Sequence, residues 1–329
     1  MFYTYRIEER GAAMETKQGM TPRIKGGKFL IYMKRYWSLY LMLLIPMIYF
    51  IVFKYIPMNY IQIAFKKYNL LQKPWEMAWA DNNGFEYFIQ AFSNRDFLYA
   101  VRNTFVLNLL DLVVGFPAPI ILAILLNELR FKKFKKLTQT IIYMPHFLSW
   151  IIISGLAKQL FTPSTGLVNI FLNNLGMESI PFLNDAVYWV WTYVFLGVWQ
   201  SAGWNTIIYL AAITSINPEL YEAASVDGAG RFRKMFHITL PGLRSTIVVL
   251  LILSLGRILG SEFDRPFALS NNLVNNVSNV ISTFVYKYGI RGLQFSLTTA
   301  VGLFQSVVGL IFLISADKIA KKFGEQGVR

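Results

Sequence analysis

The chain has 329 residues, a formal net charge of +14, 55% hydrophobic residues and only 15% charged ones. A soluble globular domain is nearer a quarter charged, and here the apolar residues gather in blocks of about twenty, the length that spans a bilayer core as helix. The period-two alternation of a membrane β-barrel is absent, and a chain with no cysteine has neither a disulfide framework nor a thiolate metal site.

Residues 1–30 are polar and mixed in charge, with no apolar core of a cleavable signal peptide. Met1, Met14 and Met20 all remain possible starts. Six apolar blocks follow, at roughly 37–56, 103–126, 140–161, 187–213, 245–261 and 296–316. The first begins in a basic-aromatic collar, Lys34 to Trp37, suited to lipid headgroups. The expected architecture is an all-α membrane protein with six transmembrane helices. Residues 1–36 form an N-terminal segment, 37–316 the membrane domain with a polar loop at 214–241, and 317–329 a tail.

In the connection 57–101, Pro74-Trp75 and Asp81-Asn-Asn-Gly84 are turn signals, and Phe85 to Phe92 reads as a short amphipathic surface helix. The second block carries Asp111, with no evident partner at its depth, and Pro117 and Pro119, tolerated in a span where neighbours satisfy the freed carbonyls. Residues 131–136 (FKKFKK) read as a basic loop, and the third block contains Pro145-His146. The fourth is tryptophan-rich, and the fifth and sixth enclose a polar loop at 262–295.

With the N-terminus on the cytoplasmic side, 21 of the 32 Lys and Arg fall on inside segments and 8 on outside ones. This is the positive-inside asymmetry of an inner-membrane protein, with both termini cytoplasmic. The charges flank spans instead of forming one face, which argues against a nucleic-acid partner.

The loop 214–241 is the most structured polar segment. Asn217 is a good N-cap and Pro218 suits N1. Glu219 and Glu222 favour the positive end of the helix dipole, and Gly228 is a natural left-handed stop, so residues 218–227 are predicted helical. Ala223 and Ala224 let a partner surface approach the backbone. Beyond Gly230 a second amphipathic helix begins near Arg231, with Phe232, Met235 and Phe236 on one face, and Pro241 is expected to open the fifth span.

The run Glu222-Ala-Ala, three residues, Gly228, nine residues, Ile238-Thr-Leu-Pro241 resembles the cytoplasmic loop of the permease subunits of binding-protein-dependent ABC importers. Residues 216–230 (INPELYEAASVDGAG), with RNT at 102–104, FKKF at 131–134 and YMPH at 143–146, place the resemblance in the carbohydrate-uptake, maltose-permease-like branch. It implies a type I ABC importer permease fold whose cytoplasmic coupling helix contacts an ATPase through Glu222, Ala223, Ala224, Asp227, Gly228, Ala229 and Gly230. It also implies a second homologous permease, two ATPase subunits and an extracytoplasmic solute-binding protein. The chain has no Walker A motif, so ATP and Mg²⁺ belong to the separate ATPase, and no cofactor of its own is expected. Its two histidines, His146 and His237, are too few for a metal motif.

The blocks flanking the loop are the expected cargo path, with Gln200, Ser201, Trp204 and Asn205 on the fourth and Ser254 and Arg257 on the fifth. Amides and hydroxyls beside an indole suit an oligosaccharide; helix–helix polar contacts are the plainer explanation. Arg257 falls some 18 Å along its block at 1.5 Å per residue. A guanidinium at that depth matches a carboxylate, which raises an acidic, uronate-containing cargo; a structural pair with the second permease, or snorkelling toward Glu262 or Asp264, leaves a neutral oligosaccharide or another polar solute. A multi-pass membrane enzyme would need a catalytic constellation that is not seen, and a secondary transporter would need inverted repeats and buried ionisable pairs.

Overall fold

The computed structural model describes residues 32, 34–260 and 262–322. The expectations for the start of the chain and for the tail beyond residue 322 lie outside them. Among the described residues the structure is helical, and the extended pairing present is an isolated bridge between Lys66 and Trp79.

The residues divide into two units between Tyr60 and Ile61. Residues 37–60 of helix α1, Trp37–Phe65, fall in the first unit. Its opening stretch, Trp37–Phe50, has Pro46 inside it and buries no residue. A π-helical turn, Ile51–Tyr55, carries it onward.

In the second unit the amphipathic helix α2, Glu86–Ser93, lies close to where the sequence places it. Asn94 then caps α3, Arg95–Asn127, its side chain accepting from the Asp96 amide. Pro117 has no N–H to return to the preceding turn, and that turn is a wide π turn, Asp111–Gly115, closed by the Phe116 amide on the Asp111 carbonyl. Helices α4, Lys132–Phe147, and α5, Trp150–Phe161, meet at 102°. Helix α6, Leu167–Asn174, leads to α7, Ala186–Thr214. The polar loop supplies α8, Pro218–Val226, and α9, Arg231–Gly242, which meets α10, Arg244–Gly256, at 56°. After α11, Asp264–Leu269, and α12, Ile281–Val285, prolonged by a π turn to Arg291, the long α13, Phe295–Lys322, closes the described chain.

Helices α1, α3 and α13 are each long and apolar enough to cross a membrane; counting each bent pair as one span gives five. The remaining expected block is α7, 29 residues long and so about 43 Å at 1.5 Å per residue. Its tryptophans, tyrosines and small polar residues lower its hydropathy, because their polar edges offset the apolar rings.

Three expectations are corrected. Residues 132–136 are the first turns of α4, not a loop. The third block breaks at Pro145–Ser149, where a 3₁₀ turn yields to extended backbone and Ser149 caps a new helix. The fifth block does not start as helix at Pro241: Pro241 lies within α9, the bend follows it, and α10 ends at Gly256, leaving Arg257 as its C-cap.

Helix α7 is the hub. Near its start Trp189, Tyr193 and Val194 pack with Leu107 of α3, Trp150 and Ile153 of α5, and Leu269 and Val280 of the 262–295 segment. Farther on, Tyr209 and Ile213 pack with Ala123 and Leu243. Helix α13 packs at one end on Phe97, Ile281 and Phe284, and through Ala316 and Ala320 on Ile252. Such contacts act by close packing, since lipid tails are as apolar as the side chains they replace.

Candidate functional site

The loop between α7 and α10 has the cap chemistry that its sequence predicts. The Asn217 side chain accepts from the Glu219 amide, at 3.0 Å, and Pro218 opens α8. Asp227 is the C-cap, and Gly228 has φ +74°, a backbone region open to glycine without steric cost. The Ala229 amide reaches back to the Ala224 carbonyl at 2.8 Å, which satisfies an orphan carbonyl of the last turn. Glu222, Ala223, Asp227, Gly228 and Gly230 are exposed, while Ala224 and Ala229 are half-buried. Val226 is 88% exposed and Leu220 52%, an apolar edge offered outward. Two bonds brace α8 against α9: Tyr221 Oη to Thr239 Oγ1 at 3.0 Å, and Lys234 Nζ to Ser225 Oγ at 2.5 Å.

Beyond α10 a cavity of about 570 Å³ opens between α3, α7 and α10. Ser201, Asn205, Ser254 and Arg257 line it. Ser201 donates to the Gly197 carbonyl and Ser254 to the Leu250 carbonyl. Their protons are thus committed to their own helices, and their oxygen lone pairs remain as acceptors. Arg257 is exposed, and among the described residues no carboxylate pairs with it. Gln200 and Trp204 are not part of this wall. Gln200 Nε2 donates to the His146 carbonyl at 3.4 Å, and Trp204 stacks on the His146 ring, centroids 4.7 Å apart and 5° from parallel.

The cavity also contains what the sequence reading missed. Asp111 does have a partner: Arg265 of α11 donates through Nη1 to Oδ2 at 2.7 Å and through Nη2 to Oδ1 at 3.1 Å. The same guanidinium donates to the Tyr193 carbonyl at 2.5 Å, lies 3.6 Å from the Tyr193 ring centroid, and stands 4.0 Å from Glu262. Arg265 is 4% exposed, so its charge depends on these partners. Gly197 makes room for it, since a Cβ there would collide with the guanidinium. Glu262, in the connection between α10 and α11, accepts from Trp150 Nε1 at 2.6 Å. Partial desolvation pushes its carboxyl above the ordinary carboxylate range, against the opposing pull of Arg265 and the Trp150 bond. The signal available in the sequence was two unmatched opposite charges, Asp111 and Arg265. It was lost because residue 265 falls in a segment assigned to a polar loop.

No cluster of three or more metal-ligating side chains occurs among the described residues. The wall therefore offers hydroxyl and amide acceptors, the Glu262 carboxyl, one guanidinium with no carboxylate paired to it among the described residues, and a second guanidinium paired with Asp111. That set can hold a polar, hydroxylated solute, and it contains no nucleophile–base pair.

Residues 104–325 match the family of the binding-protein-dependent transport system inner membrane component. Protein LplB of Bacillus subtilis (strain 168) is 45% identical over 96% of this chain and all of its own length. The polygalacturonan/rhamnogalacturonan transport system permease protein YteP of the same strain is 44% identical over the same shares. Among solved structures, a chain of a bacterial ABC transporter involved in the import of the acidic polysaccharide alginate superposes with a TM-score of 0.81 at 39% identity, covering 90% of this chain and 99% of that one. A chain of the alginate transporter in complex with an alginate pentasaccharide-bound periplasmic protein gives 0.82 at 40%, covering 90% and 98%. A buried ionisable pair is one mark of a secondary transporter, but an ancestry shared along nearly the whole length decides the class: the chain belongs to the binding-protein-dependent transport system inner membrane components, as a permease subunit of an ABC importer.

Proposed function

We propose that this permease moves an acidic, uronate-containing oligosaccharide through the cavity between α3, α7 and α10. The observation that carries the reading is Arg257, a guanidinium on the cavity wall with no carboxylate partner among the described residues. Arg265, which lines the same cavity, is already neutralised by Asp111. A carboxylate of the cargo pairs with Arg257 in the bidentate geometry that guanidinium favours. Sugar hydroxyls donate to Ser201 and Ser254, and the Asn205 amide both donates and accepts. Names among the relatives support the class: one is a permease for polygalacturonan and rhamnogalacturonan, and another belongs to an alginate importer.

In this reading six spans cross the inner membrane, α1, α3, the pair α4 and α5, α7, the pair α9 and α10, and α13, with both termini cytoplasmic. Helix α8 is the coupling helix. It docks on an ATPase subunit that binds ATP and Mg²⁺, while a second permease completes the path and a solute-binding protein delivers the cargo. A reporter joined after Arg329 reads as cytoplasmic if the topology is right and as external if it is wrong.

One observation favours a neutral oligosaccharide instead. Asp111 and Glu262 line the same cavity, so its formal charges cancel. Uptake by the whole importer carrying Arg257→Gln separates the two readings. For an acidic cargo, uptake of oligogalacturonate falls by about tenfold, equivalent to about 1.4 kcal/mol, while a neutral oligosaccharide of equal length is little affected, and Arg257→Lys recovers part of the loss. Equal effects on both sugars would sink the acidic reading.

A further inference from the structure

The segment 262–267 has two faces. Glu262 and Arg265 line the cavity described above. Phe263 points the other way, into a second hollow of about 370 Å³ between α12 and α13, lined also by Ser282, Tyr286, Thr298 and Gln305. The two spaces share this wall, and the Ser282 hydroxyl bonds to the Glu262 carbonyl at 3.0 Å. Both volumes fall within the range of about 300–1,000 Å³ usual for small-ligand sites.

The Phe263 and Tyr286 rings line the second hollow, and Phe267 and Arg291 stand against these rings just outside its lining. Phe267 stacks on Phe263 with centroids 4.8 Å apart, and the Tyr286 ring lies 5.2 Å from Phe263 and 5.4 Å from Phe267. The Arg291 guanidinium sits 5.1 Å from the Tyr286 centroid. Arg291 is exposed, and among the described residues no carboxylate is paired with it. The backbone bringing it there is irregular. A π turn covers Tyr286–Arg291, Gly289 lets that turn press against Thr298, and Leu293 is held at φ +55°. Left-handed backbone at a leucine costs energy, and such strain clusters at binding sites.

We infer that this second hollow is a carbohydrate subsite taking a further uronate of the same cargo, with a sugar ring against Phe263 and Tyr286 and its carboxylate on Arg291. Ring faces supply the apolar surface that a pyranose needs, the Ser282 and Thr298 hydroxyls, whose protons go to backbone carbonyls, keep their oxygens as acceptors, and the shared wall sets the site beside the first cavity. The inference rests on the reading of that cavity as the cargo path. It assigns the subsite to longer oligosaccharides only, because a short one fills the first cavity alone.

The test compares maximal uptake rates of digalacturonate and pentagalacturonate by cells expressing the whole importer. Arg291→Gln and Tyr286→Leu are expected to lower the pentasaccharide-to-disaccharide rate ratio by about fivefold to tenfold, roughly 1–1.4 kcal/mol. Arg291→Lys and Tyr286→Phe should restore most of it. Arg257→Gln, by contrast, should lower both rates. An unchanged ratio in both Arg291→Gln and Tyr286→Leu overturns the subsite, and if Arg257→Gln still slows uptake, the cargo path survives its loss. A silent Arg257→Gln with a lowered ratio keeps the subsite and rejects Arg257 as a cargo contact. Loss of co-purification with the second permease in both variants, with an unaltered ratio in the complexes that remain, identifies the rings as a subunit contact and also overturns the subsite.

Discussion

Arg265 and Asp111 meet in a two-pronged ion pair, with the guanidinium 5% exposed and the carboxylate 30% exposed. They stand 154 residues apart in sequence, and the pair joins α11 to the π turn of α3. Removing one partner of a buried pair leaves the other uncompensated, at a cost of about 3–5 kcal/mol, whereas replacing both by apolar residues is often close to neutral. Because Asp111 keeps some access to water, the lower end applies here. Arg265→Met should therefore lower the melting temperature of the purified complex more than Arg265→Met combined with Asp111→Leu. A double variant less stable than the single one would contradict this account.

Gly197 gives a second check on the same pair. Alanine there drives its Cβ into the Arg265 guanidinium, and overpacking of this kind costs about 1–3 kcal/mol. Gly155→Ala on α5 is the control, since nothing lies within 4 Å of a Cβ there. Thermal denaturation should show Gly197→Ala destabilised and Gly155→Ala unchanged or slightly stabilised. The Gly197→Ala penalty should also shrink when Arg265→Met is already present.

The cavity wall separates residues that the sequence grouped as one cargo path. Asn205 and Ser254 line the space, and Gln200 instead holds the His146 carbonyl. Asn205→Ala with Ser254→Ala should reduce uptake by several-fold, on the basis of about 0.5–1.5 kcal/mol for each hydrogen bond. Gln200→Ala should leave it near the parent value. Equal losses in the two would remove these side chains from the cargo path.

Gly228 tests the loop. At φ +74° alanine is strained by about 1 kcal/mol, and proline, fixed near −65°, cannot enter that conformation. Gly228→Pro also removes the amide that bonds to the Ser225 carbonyl. The variant should insert in the membrane yet show no uptake, and cargo should no longer stimulate ATP hydrolysis by the complex. Retained uptake in Gly228→Pro would reject α8 as the coupling helix.

Much of the fold was legible because local chemistry decides it. Asn217, Pro218 and Gly228 specify the ends of α8 through capping alone, and the structure has them at those ends. The apolar blocks likewise mark where helices run. What sequence did not reveal depends on combinations of residues. The 102° break between α4 and α5 depends on Pro145 and Ser149 acting together on two stretches that are both apolar enough to read as one. The Arg265–Asp111 pair needs the 262–295 segment folded back onto α3 and α7, which no periodicity encodes. Ser201 and Asn205 were separable from Gln200 and Trp204 only once the neighbours of α7 were known.

The bend at Leu243 has a mechanical corollary. Leu243 is completely buried, wedged against Ala123 of α3 and Tyr209 and Ile213 of α7. On one side of it α8 and α9 are cross-braced into a single arm by the Tyr221–Thr239 and Lys234–Ser225 bonds. On the other, α10 runs 13 residues to Gly256, about 20 Å at 1.5 Å per residue, with Arg257 at its tip. With Leu243 held by this packing, torque applied to the braced arm would emerge as a sweep of the far end of α10. A few degrees of tilt about Leu243 displaces Arg257 by roughly an ångström or more at that radius, enough to make or break a guanidinium–carboxylate pair.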